Sequence, residues 1–465
     1  MSEHFSPTDA ITLDISSPNA VHKRVLGLAW PVIAENFLET LLGLVDTALV
    51  AHLGAGAIAG VGSAQQMMFL LIAALSALSI GSSVLVAQAF GGGDRARASQ
   101  LARQSLVWSV IISIPLALIG LAVSRPFIGI FGLEPPVAEI GVAYLHVTTG
   151  TIIVLVGLLI GSGVLRGIGD TRTPLIVTAI ANVINICLAY GLINGALGLP
   201  QMGAVGSAWA TFVSRAVALV LLLIVLWRGR NGVSIRGSQT VATSDWRPQL
   251  GVFKQLVNIG VPAAIEQILT TLAFVGLSVV VAGMGTVALA AHRITISALS
   301  FSFLPGFGFA IASTALVGQS VGAKRIGDIG PITRSATLWA AVWMGVIAII
   351  LFVFARQVLS VFTEDQAVID TGVAALRMVA VSQPFMALLM VNGGAIRGTG
   401  NTKLPLYISA GGWWILVGVS FLLVQVFGRT LAVAWAAFLV VMPLIALMMW
   451  LAFKRVYGRL NTATA

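Results

Sequence analysis

Long apolar stretches, separated by short polar ones, occupy almost the whole chain. Each has about 20 residues, which is long enough for a helix to cross a ~30 Å hydrocarbon core. The pattern therefore predicts an all-α integral membrane protein with twelve transmembrane helices. The predicted spans centre on residues 27–51, 64–88, 104–123, 140–164, 174–194, 204–226, 256–282, 290–317, 335–354, 371–395, 404–427 and 432–452.

The composition agrees with a membrane protein and excludes several functional classes. Of the 465 residues, 58% are hydrophobic and 9% charged, which no soluble surface would show. Residues 1–22 are polar and do not resemble a cleavable signal peptide. No zinc-protease motif, nucleophile elbow, nucleotide loop or set of paired metal ligands occurs. We therefore expect no enzyme activity, no metal and no cofactor, and an ion gradient as the energy source.

The formal charge of +10 has a topological cause. Under the twelve-helix prediction, twenty Lys and Arg residues lie on one side of the membrane. The other side has only Arg125, Arg356 and Arg429. Because cytoplasmic loops are enriched in Lys and Arg, both termini are predicted to be in the cytoplasm and the protein in the plasma membrane. The positive charge thus requires no nucleic-acid partner.

The chain repeats itself at a constant offset of 231 residues, as from Pro31 to Pro262. The same offset aligns SVLVAQAFG with TALVGQSVG and VLRGIGDTRTPL with AIRGTGNTKLPL. Six helices per repeat place both halves in the membrane with the same orientation, so we expect two pseudo-symmetric six-helix lobes, as in many transporters. The predicted regions are a cytoplasmic tail (1–22), an N-terminal lobe (23–227), a cytoplasmic linker (228–254), a C-terminal lobe (255–455) and a second tail (456–465).

The first predicted helix contains three acidic residues, Glu35, Glu39 and Asp46. At about 100° per residue they lie on one narrow stripe. An acidic side chain inside a membrane is costly, so it usually faces an internal cavity and marks an ion or substrate path. Pro31 removes a backbone hydrogen bond from this helix and is a candidate hinge.

Glu266 matches Glu35 through the repeat. Glu35, Glu39 and Glu266 are therefore candidates for contact with a cationic substrate in a cleft between the lobes. The alternative is a structural role at the ends of their helices, and for Asp46 a carboxylate capped by neighbouring donors.

Asp46 is the candidate coupling residue because a buried carboxylate can exchange protons. Its candidate partners in the same half are Tyr144, Asn182, Asn185 and Thr211. A single Asn or Thr in a membrane helix also serves commonly as a hydrogen bond between helices, so this role stays open.

These motifs, in this order, resemble those of the multidrug and toxic compound extrusion (MATE) family. The resemblance extends from about residue 20 to 455 and rests on VDTALVAHLG, RGIGDTRTP, ANVINICLAYGLI and GAVGSAWAT together with the repeat. The position of Glu35 and the spacing from Pro31 to Asp46 suggest the DinF-like branch. The resemblance implies two lobes around a central cleft and export of cationic or amphipathic drugs in exchange for H+ or Na+.

In the family, the first-helix aspartate is the main coupling carboxylate, and here it is Asp46. The resemblance adds Asn185, Thr211 and Tyr144 as the other residues of a proton or cation site. The family often has a second amide or carboxylate four residues after the asparagine, but this chain has Ala189 there. This difference weakens a Na+ site, which needs several oxygen ligands, more than a proton site. Glu266 lies about one turn before the family's C-lobe glutamate, so no C-lobe Na+ site is expected.

The predicted function is therefore a proton-coupled multidrug antiporter that works by alternating access. Its partners would be small organic cations or amphipathic drugs and membrane lipid, and the protein would be monomeric. The alternatives are a Na+-coupled drug antiporter, a flippase for lipids or lipid-linked oligosaccharides, and a membrane receptor or scaffold that transports nothing.

Overall fold

The computed structural model describes residues 17–236 and 246–464, and this part of the chain is almost entirely helical. The predicted N-terminal tail and the centre of the predicted linker fall largely outside the described residues. The helices are α1 (Pro18–Ala51), α2 (Ala55–Gly91), α3 (Arg95–Gly129), α4 (Pro135–Gly150), α5 (Ile152–Gly167), α6 (Arg172–Asn194), α7 (Ala204–Arg228), α8 (Leu250–Ala282), α9 (Thr286–Gly322), α10 (Ile329–Val353), α11 (Ala355–Ser360), α12 (Gln366–Gly398), α13 (Lys403–Phe427) and α14 (Leu431–Thr464).

The prediction of twelve spans is confirmed in the described part of the chain. Eleven helices are long and apolar enough to cross a membrane, and α4 with α5 makes a twelfth span that is bent by 50°. The sequence did not predict this bend. The hydroxyls of Thr148, Thr149 and Thr151 donate to backbone carbonyls three or four residues earlier, at 2.6–3.3 Å. Such bonds to the preceding turn favour a bend, and three threonines that make them cluster at this break.

Several helices extend beyond the predicted regions. The first helix already begins at Pro18, inside the predicted tail, and α14 continues to Thr464 through the second one. The start of the predicted linker is held by backbone pairing between Arg230 and Val233.

The chain divides into two compact units. One contains Ala34–Phe90 and Asp94–Ala264, and the other contains Ile265–Ala465 with Met1–Ile33 and Gly91–Gly93. The boundaries inside α1 and α8 are equivalent, because Ile33 and Ala264 are related by the repeat offset. In each repeat, the first helix therefore passes from one compact unit into the other, and this boundary falls two residues after the proline of the helix.

Equivalent aromatic contacts hold these two opening segments. The ring of Phe253 in α8 stacks on Trp108 of α3, with centroids 4.2 Å apart. The repeat relates these residues to His22 in α1 and Trp339 of α10, whose rings meet edge-on at 6.2 Å. Each compact unit thus combines most of one repeat with the opening segment of the other repeat's first helix. The sequence repeat by itself did not predict this exchange.

Small residues allow close packing of helices at equivalent places in both repeats. A Cβ on Gly167 would lie 2.7 Å from the backbone oxygen of Ser83, and a Cβ on Gly398 would lie 2.6 Å from that of Thr314. Helices in lipid associate through van der Waals packing of this kind. The two glycines therefore fix the contacts of α5 with α2 and of α12 with α9.

Replacing Gly398 by Ala is expected to destabilise the protein by about 2 kcal/mol, because the backbone oxygen of Thr314 cannot move aside without shifting α9. Thermal unfolding in detergent measures the effect. Gly418→Ala in α13 is the matched control, because nothing lies within 4 Å of its added methyl group. An equal Tm for both variants would contradict this account of the packing.

The RGIGDT segment, which the repeat pattern pairs with RGTGNT, forms a tight turn. Gly169 has a φ of +80° and its repeat equivalent Gly400 has +89°, which favours glycine at both positions. Asp170 accepts hydrogen bonds from the Thr173 backbone N–H at 3.0 Å and from the Arg230 guanidinium at 2.7 Å. Burial disfavours the charged carboxylate, but these hydrogen bonds outweigh it and hold the pKa of Asp170 below its usual value.

Asp170→Asn is expected to cost about 1 kcal/mol at pH 7, a modest amount because Arg230 is half exposed. A lowered folded-state pKa stabilises the fold above the unfolded pKa, and this stabilisation is lost as the pH falls through the folded value. The difference between wild type and variant should therefore shrink below about pH 4. Thermal unfolding at several pH values tests this, and a difference that does not depend on pH would contradict it.

Candidate functional site

Asp46 is buried in α1, with 8% of its surface exposed. Both carboxylate oxygens lie 2.7 Å from the hydroxyl of Ser207 in α7. A serine hydroxyl has one proton, so the two oxygens share a single donor. Asp46 therefore has one short hydrogen bond, and its two oxygens have further capacity to accept a proton or a cation.

Sequence reasoning missed Ser207 as the direct partner of Asp46. It lies four residues before Thr211 in GAVGSAWAT, and therefore on the same face of α7 as a predicted site residue. This spacing was the signal that could have identified it.

Tyr144, one of the predicted partners, lies next to this contact. It is buried in α4 and interacts with the hydroxyl of Ser207 and with Gln65 of α2. The phenol thus supports Ser207, which in turn holds the Asp46 carboxylate.

The structure brings two more of the predicted partners, Asn185 and Thr211, together. The Asn185 amide donates to the Thr211 hydroxyl at 3.1 Å and to that of Ser214 at 3.3 Å. Asn182, the other amide considered, donates to the Leu38 carbonyl of α1 at 2.8 Å and so joins α6 to α1. These amides hold helices together, and Ser207 alone donates to Asp46 among the described residues.

Ala189 is fully buried in α6, one turn after Asn185. A methyl group thus occupies the position where the resemblance led us to look for a second oxygen ligand. Across the described residues, no group of three or more His, Cys, Asp or Glu side chains could hold a metal ion.

Two of the three predicted substrate contacts, Glu35 and Glu266, form ion pairs at equivalent places in the repeats. Glu35 accepts from Arg166 at 2.8 Å, and Glu266 accepts from Arg397 at 2.5 Å. Both carboxylates are buried. Each pair joins the first helix of a repeat to the arginine that begins its RGIGDT or RGTGNT segment. These contacts support a structural role for the two glutamates.

Glu39 differs from its neighbours on the stripe. Its side chain is exposed. It interacts electrostatically with Arg166 and Arg215, without a hydrogen bond or ion pair to another described residue. Of the three predicted substrate contacts it is the one with a free carboxylate. Pro31 lies inside α1, two residues before the unit boundary, and its role as a hinge stays a prediction.

The MatE family model matches residues 31–191 and 262–422. The second matched segment begins and ends 231 residues after the first, and together the two cover more than half of the chain. The chain belongs to the MATE family. It is therefore a membrane transporter and not an enzyme, while the DinF-like branch stays a prediction.

Relatives of this MATE protein match over most of their length. "Probable multidrug resistance protein NorM" of Thermotoga maritima is 32% identical over 417 residues, which are 89% of this chain and 88% of the relative. "Multidrug resistance protein NorM" of Burkholderia vietnamiensis is 29% identical over 407 residues, 83% of each chain.

Solved MATE structures share the fold. A structure described as "Outward-facing conformation of a multidrug resistance MATE family transporter of the MOP superfamily" aligns with a TM-score of 0.89. The alignment covers 98% of this chain and 100% of the other, at 22% identity.

Proposed function

We propose that this MATE protein exports organic cations and amphipathic drugs in exchange for protons, with Asp46 as the proton site. The observation that carries the proposal is the buried Asp46 carboxylate, whose two oxygens share the Ser207 hydroxyl. A charged carboxylate with one neutral donor is costly inside a membrane, so it favours uptake of a positive charge. The names of the relatives support a drug as the other substrate.

A proton fits this site better than Na+ does. A sodium ion needs several oxygen ligands, whereas a proton needs one titratable group. The side chains around Asp46 offer one serine hydroxyl and a phenol, and Ala189 contributes no oxygen. We therefore favour H+ as the coupling ion over Na+.

The proposed cycle uses the position of Asp46 in α1. A proton entering from outside neutralises Asp46, shifts α1 around Pro31 and lowers the affinity for the drug, and release of the proton inside resets the site. Coupling of this kind requires that proton and drug bind differently in the two conformations. We propose that the protein lies in the plasma membrane with both termini in the cytoplasm, because Lys and Arg are enriched on one side of the predicted spans. We also propose that it acts as a monomer.

Uptake of a fluorescent organic cation into inside-out vesicles tests the proposal, with a pH gradient and a Na+ gradient imposed in separate runs. We expect the pH gradient alone to drive uptake. Uptake driven only by Na+ would refute the assignment of the ion. No uptake with either gradient would refute drug export and direct the next assay to lipid flipping.

A further inference from the structure

A second charged residue lies inside the N-terminal half, and the proton site does not use it. Arg215 is in the middle of α7, four residues after Thr211 and eight after Ser207. Steps of four residues keep these side chains on one face of the helix. Arg215 therefore lies on the face of α7 that contacts Asp46 through Ser207.

Arg215 lies at about the same membrane depth as Glu39. Glu39 precedes Asp46 by seven residues, about 10 Å along α1, and Arg215 follows Ser207 by eight, about 12 Å along α7. As the first and sixth spans, α1 and α7 run in opposite directions. The hydrogen bond between Asp46 and Ser207 therefore aligns Glu39 with Arg215.

The Arg215 side chain lines a small pocket that is partly open to the surface. Thr148, Thr151 and Thr211 line it together with Arg215. Arg215 interacts electrostatically with the Glu39 and Asp46 carboxylates, but it makes no hydrogen bond or ion pair with any described residue. It is thus a positive charge beside two carboxylates that it does not touch.

The charges in the predicted spans of this half leave one carboxylate unbalanced. The acidic residues are Glu35, Glu39 and Asp46, and Arg215 is the basic residue. Glu35 is already neutralised by Arg166. Arg215 balances one of the two remaining carboxylates, so a single added positive charge makes the group neutral.

We propose that Arg215 is a specificity-determining residue, a tethered positive charge that restricts the site around Glu39 and Asp46 to substrates with one positive charge. The inference rests on the proposed export of organic cations. A monocation then exchanges for one proton. For a dication, no unbalanced carboxylate remains to pair with the second charge, and Arg215 repels that charge. At a separation of about 10 Å in partly solvated protein, one such repulsion weakens binding by about tenfold.

Ethidium and propidium test the proposal, because they share an aromatic core and carry one and two positive charges. Binding of each dye to the purified full-length protein in detergent is measured by fluorescence anisotropy. The wild type should prefer ethidium, and Arg215→Gln should improve propidium binding relative to ethidium by about tenfold. Arg215→Lys keeps the charge and should keep the wild-type ratio. Arg228→Gln, at the exposed end of the same helix, is the matched control and should also leave it unchanged.

The outcomes separate this inference from the proposed function. If Arg215→Gln binds ethidium and keeps the wild-type preference for ethidium over propidium, the role of Arg215 is refuted. The proposed export of organic cations is then unaffected. A wild type that binds both dyes equally would overturn the role of Arg215 as well, even if the variant does not fold. Failure of the wild type to bind either dye would overturn the export of organic cations and this inference with it.

Discussion

Vesicles containing Asp46→Asn should lose pH-driven uptake of an organic cation, a drop of about 100-fold that reaches the level of protein-free vesicles. Asparagine has the size of aspartate and can still accept from the Ser207 hydroxyl, so the fold should persist. It cannot gain or lose a proton, so the gradient can no longer act on α1. The measurement is initial uptake at matched protein amounts.

Two further variants sharpen this result. Glu134→Gln removes an exposed carboxylate at the start of α4 that makes no capping hydrogen bond, and it should transport like wild type. Ser207→Ala removes the hydroxyl that donates to Asp46 and should shift the pH at which uptake is half-maximal. Full uptake by Asp46→Asn would eliminate this residue as the coupling site.

Breaking the ion pair between Glu35 and Arg166 should have the largest effect on stability. Both side chains are largely buried, with 3% and 16% of their surface exposed. Glu35→Ala removes the carboxylate that contacts the Arg166 guanidinium, and we expect a loss of about 3 kcal/mol. Thermal unfolding in detergent measures the loss.

A double-mutant cycle with Arg166→Met separates the pair from the rest of the fold. If Arg166 is costly mainly because it is unpaired, the double variant should be more stable than Glu35→Ala. Glu139→Ala is the matched control, because it breaks the exposed pair with Arg125 and should leave the Tm unchanged. Additive losses in the cycle would show that the two residues do not stabilise each other.

Much of the fold could be predicted because a membrane imposes strong local rules. In hydrocarbon every backbone polar group must be satisfied within its own segment, so a long apolar stretch must be a helix. The twelve spans and the RGIGDT turn follow from such local information. The bend between α4 and α5 was missed because it depends on which carbonyls the hydroxyls of Thr148, Thr149 and Thr151 select.

The candidate site could be predicted in part. The stripe of Glu35, Glu39 and Asp46 follows from helical periodicity alone. Periodicity does not reveal that Glu35 meets Arg166 and that Asp46 meets Ser207, since these partners lie 131 and 161 residues away along the chain.

The sequence by itself determined the membrane environment, the number of spans and the internal repeat, because these depend on hydrophobicity and on self-similarity. Only the tertiary structure decided which carboxylates are paired and which helix segments belong to which compact unit. Side-chain partners depend on the rotation and packing of whole helices, and the sequence of a single helix does not contain that information.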